Sequence, residues 1–129
     1  MAHEGFHEPY ELLPDDVKDF HRIIQSTMEE LEAVDWYHQR AAMATDPQAK
    51  AIMEHNRDEE IEHAVMGLEW LRRNNPVFDE MFRTILFSNG PIVAVEAEMT
   101  GKAGSEENGA AEAPARKGGL VGGLKGGKK

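Results

Sequence analysis

Between Asp15 and Pro47 the chain has neither glycine nor proline, and its apolar positions recur with a helical period. At 100° per residue, Val17, Phe20, Ile24, Met28, Val34 and His38 all fall within about 60° of Leu31, an apolar stripe on one helix face. The pattern predicts a helix from about residue 15 to 43, with Asp15 and Asp16 in the first turn where the helix dipole favours acids. Thr45-Asp46-Pro47 signals a second start, an N-cap followed by proline at the first helical position. That helix runs to the break at Asn74-Asn75-Pro76. Each helix spans about 40 Å, and a connection of a few residues makes them an antiparallel hairpin. Pro76 opens a third, shorter helix carrying Phe78, Met81, Phe82, Ile85 and Leu86 on one face, and Asn89-Gly90-Pro91 closes it. Residues 92–99, IVAVEAEM, mix strand propensity with an isolated position and read as a short helix.

The second helix is apolar on two sides. Ile52, Asn56, Glu60, Met66, Gly67 and Trp70 share a face with His63, while Ile61, Val65 and Leu68 form a stripe opposite. A single hairpin partner cannot cover both. The pattern therefore predicts either an obligate oligomer or a third helix folded over the second stripe.

Length sharpens that choice. Of 129 residues, those from Gly101 onward are Gly-, Ala-, Lys- and Glu-rich, with almost no large apolar side chains. About 95 residues remain to build a core, a marginal size without a partner, a metal or a disulfide. The chain has no cysteine, which removes disulfides and thiolate metal sites. Residues 1–100 hold 21 acids against 8 Lys and Arg, whereas residues 101–129 hold 6 bases against 3 acids. An acidic body repels phosphate and gathers cations, so nucleic acid is not the expected partner. With neither a secretory signal nor an apolar run of membrane length, the expected compartment is the cytoplasm. The expected layout is a flexible segment at 1–13, a helical hairpin domain at 14–98 and a disordered linker from 99 to 117.

Candidate chemistry centres on residues 55–63, HNRDEEIEH, which contain Glu60-x-x-His63. At i, i+3 spacing both side chains leave one helix face and can meet a single cation. Carboxylate oxygen with neutral imidazole suits Fe, Mn or Zn. Glu and His three apart also occur by chance on solvated acidic helices. Here they share a face with Ile52, Met66 and Trp70, where an unpaired carboxylate is costly. On the first helix Glu30 lies near Ile23, Val34 and Ala41, at the edge of the apolar arc. Glu59, four residues before His63, is a second way to clamp the same ion. His3, His7 and His21 have no partner pattern, His38 lies on the Leu31 stripe as a core histidine would, and Asp35 beside it needs a buried partner. No glycine-rich phosphate loop adjoins a strand, and no nucleophile triad is legible.

One Glu helix and one Glu-x-x-His helix are half of the ligand set of ferritin-like di-iron bundles. Two hairpins about a twofold axis would supply the rest. The segments MEELEAVDWYHQR at 28–40, TDP at 45–47, HNRDEEIEHAVMGLEWLRRN at 55–74 and LFSNGPI at 86–92 resemble the encapsulated ferritins of bacteria and archaea. The end segment LVGGLKG, from Leu120, resembles the peptides by which cargo docks inside encapsulin shells, and so 118–129 reads as a targeting peptide. The resemblance implies an all-α fold, a two-helix hairpin plus a short C-terminal helix, dimerising into a ferritin-like four-helix bundle. It implies a ferroxidase that oxidises Fe(II) with dioxygen at a di-iron centre between two subunits, in a ring of dimers, decameric in the family. Glu30, Glu60 and His63 would be ligands, Tyr37 would lie close by, and Glu29, Glu32 and Trp36 would form an outer site where metal enters. Residues 29, 32 and 36 do share a face away from Leu31, though a plain solvated face or, for Trp36, an interface reads equally well. Calcium or other divalent cations are implied at secondary sites, and the place of work is an encapsulin nanocompartment in the cytoplasm. The other readings are an acidic helical oligomer that binds or buffers divalent metal without turnover, and a free ferritin-like oxidase with no shell.

Overall fold

A computed structural model describes residues 5–101 of the chain. These residues are helical without strands: α1 spans Asp15–Met43, α2 Pro47–Asn74, α3 Pro76–Ile85 and α4 Ile92–Gly101. The expected helix starts are occupied as their chemistry requires. Asp46 accepts the Ala49 N–H at 2.8 Å at the head of α2. Asn75 accepts from Val77 and Phe78 at 2.9 and 3.0 Å at the head of α3, with Pro76 at the first position of that helix. Helix α4 forms where the sequence was ambiguous between strand and helix. With no neighbouring strand among the described residues, the Ile92–Val95 run has nothing to pair with, and local hydrogen bonding decides its form.

Helices α1 and α2 pack antiparallel along their length, and their closest approach is marked by Thr27 and Gly67. Thr27 is 5 % exposed, and its hydroxyl donates to the Ile23 carbonyl at 2.7 Å. A Cβ built on Gly67 would stand 2.1 Å from that hydroxyl oxygen, so only glycine admits this separation. Ala41, Ala64 and Leu71 complete the buried set among the described residues. The contact line thus runs along small residues at the edge of the Leu31 stripe, and Leu31 itself stays 51 % exposed. On α2, Ile61, Val65 and Met66 are exposed on both flanks of the contact. Helix α3 leaves the Ile61 and Val65 stripe open, because it packs instead at the far end of the hairpin.

That end is held by aromatic and ionic contacts. Phe78 of α3 lies 6.2 Å from Phe20 of α1 and 5.6 Å from Phe82, ring centre to ring centre. Arg72 joins Glu69 on its own helix to Asp79 on α3, and Asp79 also takes Arg83 at 3.0 Å. Before α1, a single 3₁₀ turn at Tyr10–Leu12 carries the chain back so that the Phe6 ring lies 4.2 Å from the His21 ring. Phe87, in the turn between α3 and α4, adopts φ 59° and is 90 % exposed. None of the described helices is long and apolar enough to cross a membrane.

Candidate metal centre

Glu30 projects from the middle of α1, and Glu60 and His63 project from α2 one turn apart. The hairpin register brings the three together: one ligand atom from each lies within 4.8 Å of the others. His63 Nδ1 stands 3.3 Å from Glu60 Oε2 and 3.7 Å from Glu30 Oε2. The carboxylates are partly buried, with 31 % of the Glu30 side chain and 23 % of the Glu60 side chain exposed, while the imidazole is half exposed. Among the described residues no other group of three acidic or histidine side chains converges in this way.

Electrostatics follow from crowding. A hydrogen bond to Glu60 raises the Glu30 pKa above the usual carboxylate range, and desolvation and the Glu60 charge add to the shift. Glu60 moves the other way, lowered by that same hydrogen bond and by His63. Its hydrogen bond to Glu60 raises His63, and the charges of Glu30 and Glu60 add to this. Two carboxylates this close resist ionising together, and a proton shared between them relieves the repulsion. A divalent cation in their midst would do the proton's work with more charge. The donor set therefore fits a metal: two hard oxygen donors and one borderline nitrogen, the combination suited to Fe, Mn or Zn.

The other candidate residues are placed as follows. Tyr37 lies two turns beyond Glu30 on the same side of α1, partly buried. Glu29 and Glu32 are exposed on α1 and converge with no third ligand among the described residues. Trp36 is half exposed, and the Arg40 guanidinium sits 5.9 Å from its ring and 5.5 Å from that of Tyr37. Glu59 turns away from the cluster to His55, whose Nε2 is 3.0 Å from its carboxylate. His38 is exposed rather than in the core. Arg57 Nη1 stands 3.1 Å from its Nδ1, and because guanidinium only donates, that ring nitrogen is the acceptor. Asp35 is exposed and accepts from Gln39 at 3.0 Å, so it needs no buried partner. His3, the targeting peptide and the linker from residue 102 onward lie outside the described residues, while residues 99–101, placed in that linker by the sequence, end α4.

Two features escaped the pattern reading. The contact of Gly67 with Thr27 had a signal, an isolated glycine inside a long helix, which calls for a close approach. The Arg72 link across α2 and α3 had none, since charges seven residues apart across a helix break do not reveal that they meet.

Carboxylates and an imidazole converging between two long antiparallel helices give a ferritin-like helical fold with a candidate metal site. The family model described as EncFtn-like matches residues 5–89, and the chain belongs to that family, with an iron-related, ferritin-like function. It is 53 % identical over 116 residues to the encapsulated ferritin-like protein of Rhodospirillum rubrum, covering 90 % of this chain and 83 % of that one. It is 52 % identical over 106 residues to a ferritin-like protein of Thermotoga maritima, covering 82 % and 91 %. Among solved structures it is similar to a protein of Nitrosomonas europaea, at 53 % identity and TM-score 0.67, covering 69 % of this chain and 98 % of the other.

Proposed function

We propose that the chain is a ferroxidase subunit that oxidises Fe(II) with dioxygen at a centre completed by a second copy, and that it works inside an encapsulin shell. The observation that carries this reading is the convergence of Glu30, Glu60 and His63 from two helices to within 4.8 Å. Fe(II) is the substrate. Glu30 and Glu60 would hold it through carboxylate oxygens and His63 through a ring nitrogen, and binding would displace any proton that these groups carry. Each Fe(II) loses one electron and dioxygen takes it up. Anionic oxygen donors favour Fe(III) over Fe(II), which drives electron loss. Tyr37 offers a hydroxyl on the Glu30 side of α1 that can give or take a proton beside the ligands.

Half of a ferritin-like ligand set in one chain supports a homodimer in which the partner adds the other half, and the family resemblance implies a ring of such dimers, a decamer. The apolar flanks left open on α1 and α2, with Met28 57 %, Leu31 51 % and Val65 57 % exposed, support the same reading. Glu29 and Glu32, with Trp36 beside them, would gather hydrated cations, calcium included, ahead of the centre. The name of the Rhodospirillum rubrum relative and the LVGGLKG segment from Leu120 support docking in a shell.

Adding Fe(II) in air should produce a ferric absorption far faster than buffer autoxidation, and Glu60→Ala and His63→Ala should each reduce it to that background. Metal binding without such growth would leave the chain a cation-binding module and sink the enzyme reading. Deleting residues 118–129 should leave oxidation intact and stop co-purification with an encapsulin. Continued encapsulation would remove the role given to that segment, and an encapsulin that never captures the full chain would make it a free oxidase.

A further inference from the structure

Resting on the metal-centre reading, we infer that Gly67 and Thr27 position the centre: their contact sets the α1–α2 separation at which Glu30 can share an ion with Glu60 and His63. Glu60 and His63 keep their mutual geometry wherever α1 goes, since both belong to α2 and are three residues apart. Glu30 does not. Its approach to them is set by how closely the two helix backbones pass, and the tight contact of Thr27 with Gly67 is one turn away, from Glu30 on α1 and from His63 on α2. Thr27 precedes Glu30 by three residues, and Gly67 follows His63 by four and Glu60 by seven, on nearly the same line of α2.

The fit is strict. A Cβ on Gly67 would meet Thr27 Oγ1 at 2.1 Å, its Cβ at 3.3 Å and its Cγ2 at 3.6 Å. Thr27 cannot swing aside freely, because it is buried, β-branched and bonded through that oxygen to the Ile23 carbonyl. A single added methyl therefore pushes α1 from α2 until ordinary contact distance is regained. Glu30 then withdraws from a site whose His63 Nδ1 is already 3.7 Å from its carboxylate. Removing the Thr27 hydroxyl and methyl leaves only the 3.3 Å neighbour, a Cβ that a small shift accommodates, so Thr27→Ala should relieve the clash of Gly67→Ala.

The test titrates the full-length chain with Co(II) alone, reading affinity by calorimetry and coordination by the visible absorption band. Four proteins are compared with the unmodified chain: Gly67→Ala, Thr27→Ala, the double variant, and Glu30→Ala as the marker of a site without its α1 ligand. Gly67→Ala should bind Co(II) about ten- to hundredfold more weakly, the range for lost positioning contacts around a metal, with the band of Glu30→Ala. The double variant should regain the affinity and band of the unmodified chain. A folded Gly67→Ala with unchanged binding overturns the inference alone. So does a double variant no better than Gly67→Ala, which also covers a Gly67→Ala that fails to fold. An unmodified chain that binds no Co(II) overturns the metal reading and this inference together.

Discussion

At the residue scale, the proposed centre would set protons against a cation for the same three side chains. Glu30 and His63 both hold their protons to higher pH than usual, because each has Glu60 beside it. A metal must displace those protons, so its affinity should weaken as pH falls, starting above the ordinary imidazole value of about 6.5. Calorimetry in buffers of different ionisation enthalpy would detect the released protons. An affinity flat across neutral and mildly acidic pH would contradict the ligand set. The metal-free chain has the opposite trend from His63: a raised folded pKa stabilises below the unfolded value, and that contribution is lost as pH rises through the folded one. Glu60-x-x-His63 was legible in the sequence because i, i+3 spacing is local. That Glu30 and not Glu29 or Glu32 meets it was less so, since this depends on the rotation of α1 against α2.

At the scale of elements, punctuation made the hairpin readable. Pro47 and Pro76 open α2 and α3, with Asp46 and Asn75 capping them, and none of this needs tertiary contacts. Asn75→Ala should cost about 1 kcal/mol through loss of the α3 cap. Leu71→Ala should cost about 2–5 kcal/mol, because this leucine is 2 % exposed and its cavity opens in a very small core. Thermal unfolding at fixed protein concentration would rank the two, and an Asn75→Ala cost equal to that of Leu71→Ala would mean that the cap does more than end a helix. The contact face was harder to read. Apolar periodicity marks every face that avoids water, and it centred on Leu31, whereas the chain's own contact runs along Thr27, Ala41, Ala64 and Gly67. Small residues carry little hydrophobic signal, yet they are what lets two backbones come close.

At the scale of the molecule, four residues are buried among those described, too few to hold two long helices by themselves. Stability should therefore depend on protein concentration, rising with assembly and with added Fe(II) if the centre spans two chains. Val65→Glu, on an exposed apolar flank, should shift native mass spectra toward the monomer while leaving the helical circular dichroism per residue nearly unchanged. A monomer that still oxidises iron would refute the shared centre. The shortage of core was legible from composition. What covers each open flank was not, because a periodic pattern records that a face is apolar and not what lies against it.

The position of the triad along the hairpin has a kinetic consequence. Glu30 lies near the midpoint of α1, about 20 Å from either end of the helix. In the lone chain an ion reaches it from the side, past a half-exposed imidazole, over the length of one side chain. A copy seated on that flank would close the short route and leave only longer ones along the helices, so the waiting time for an ion would be set by assembly before ligand chemistry begins.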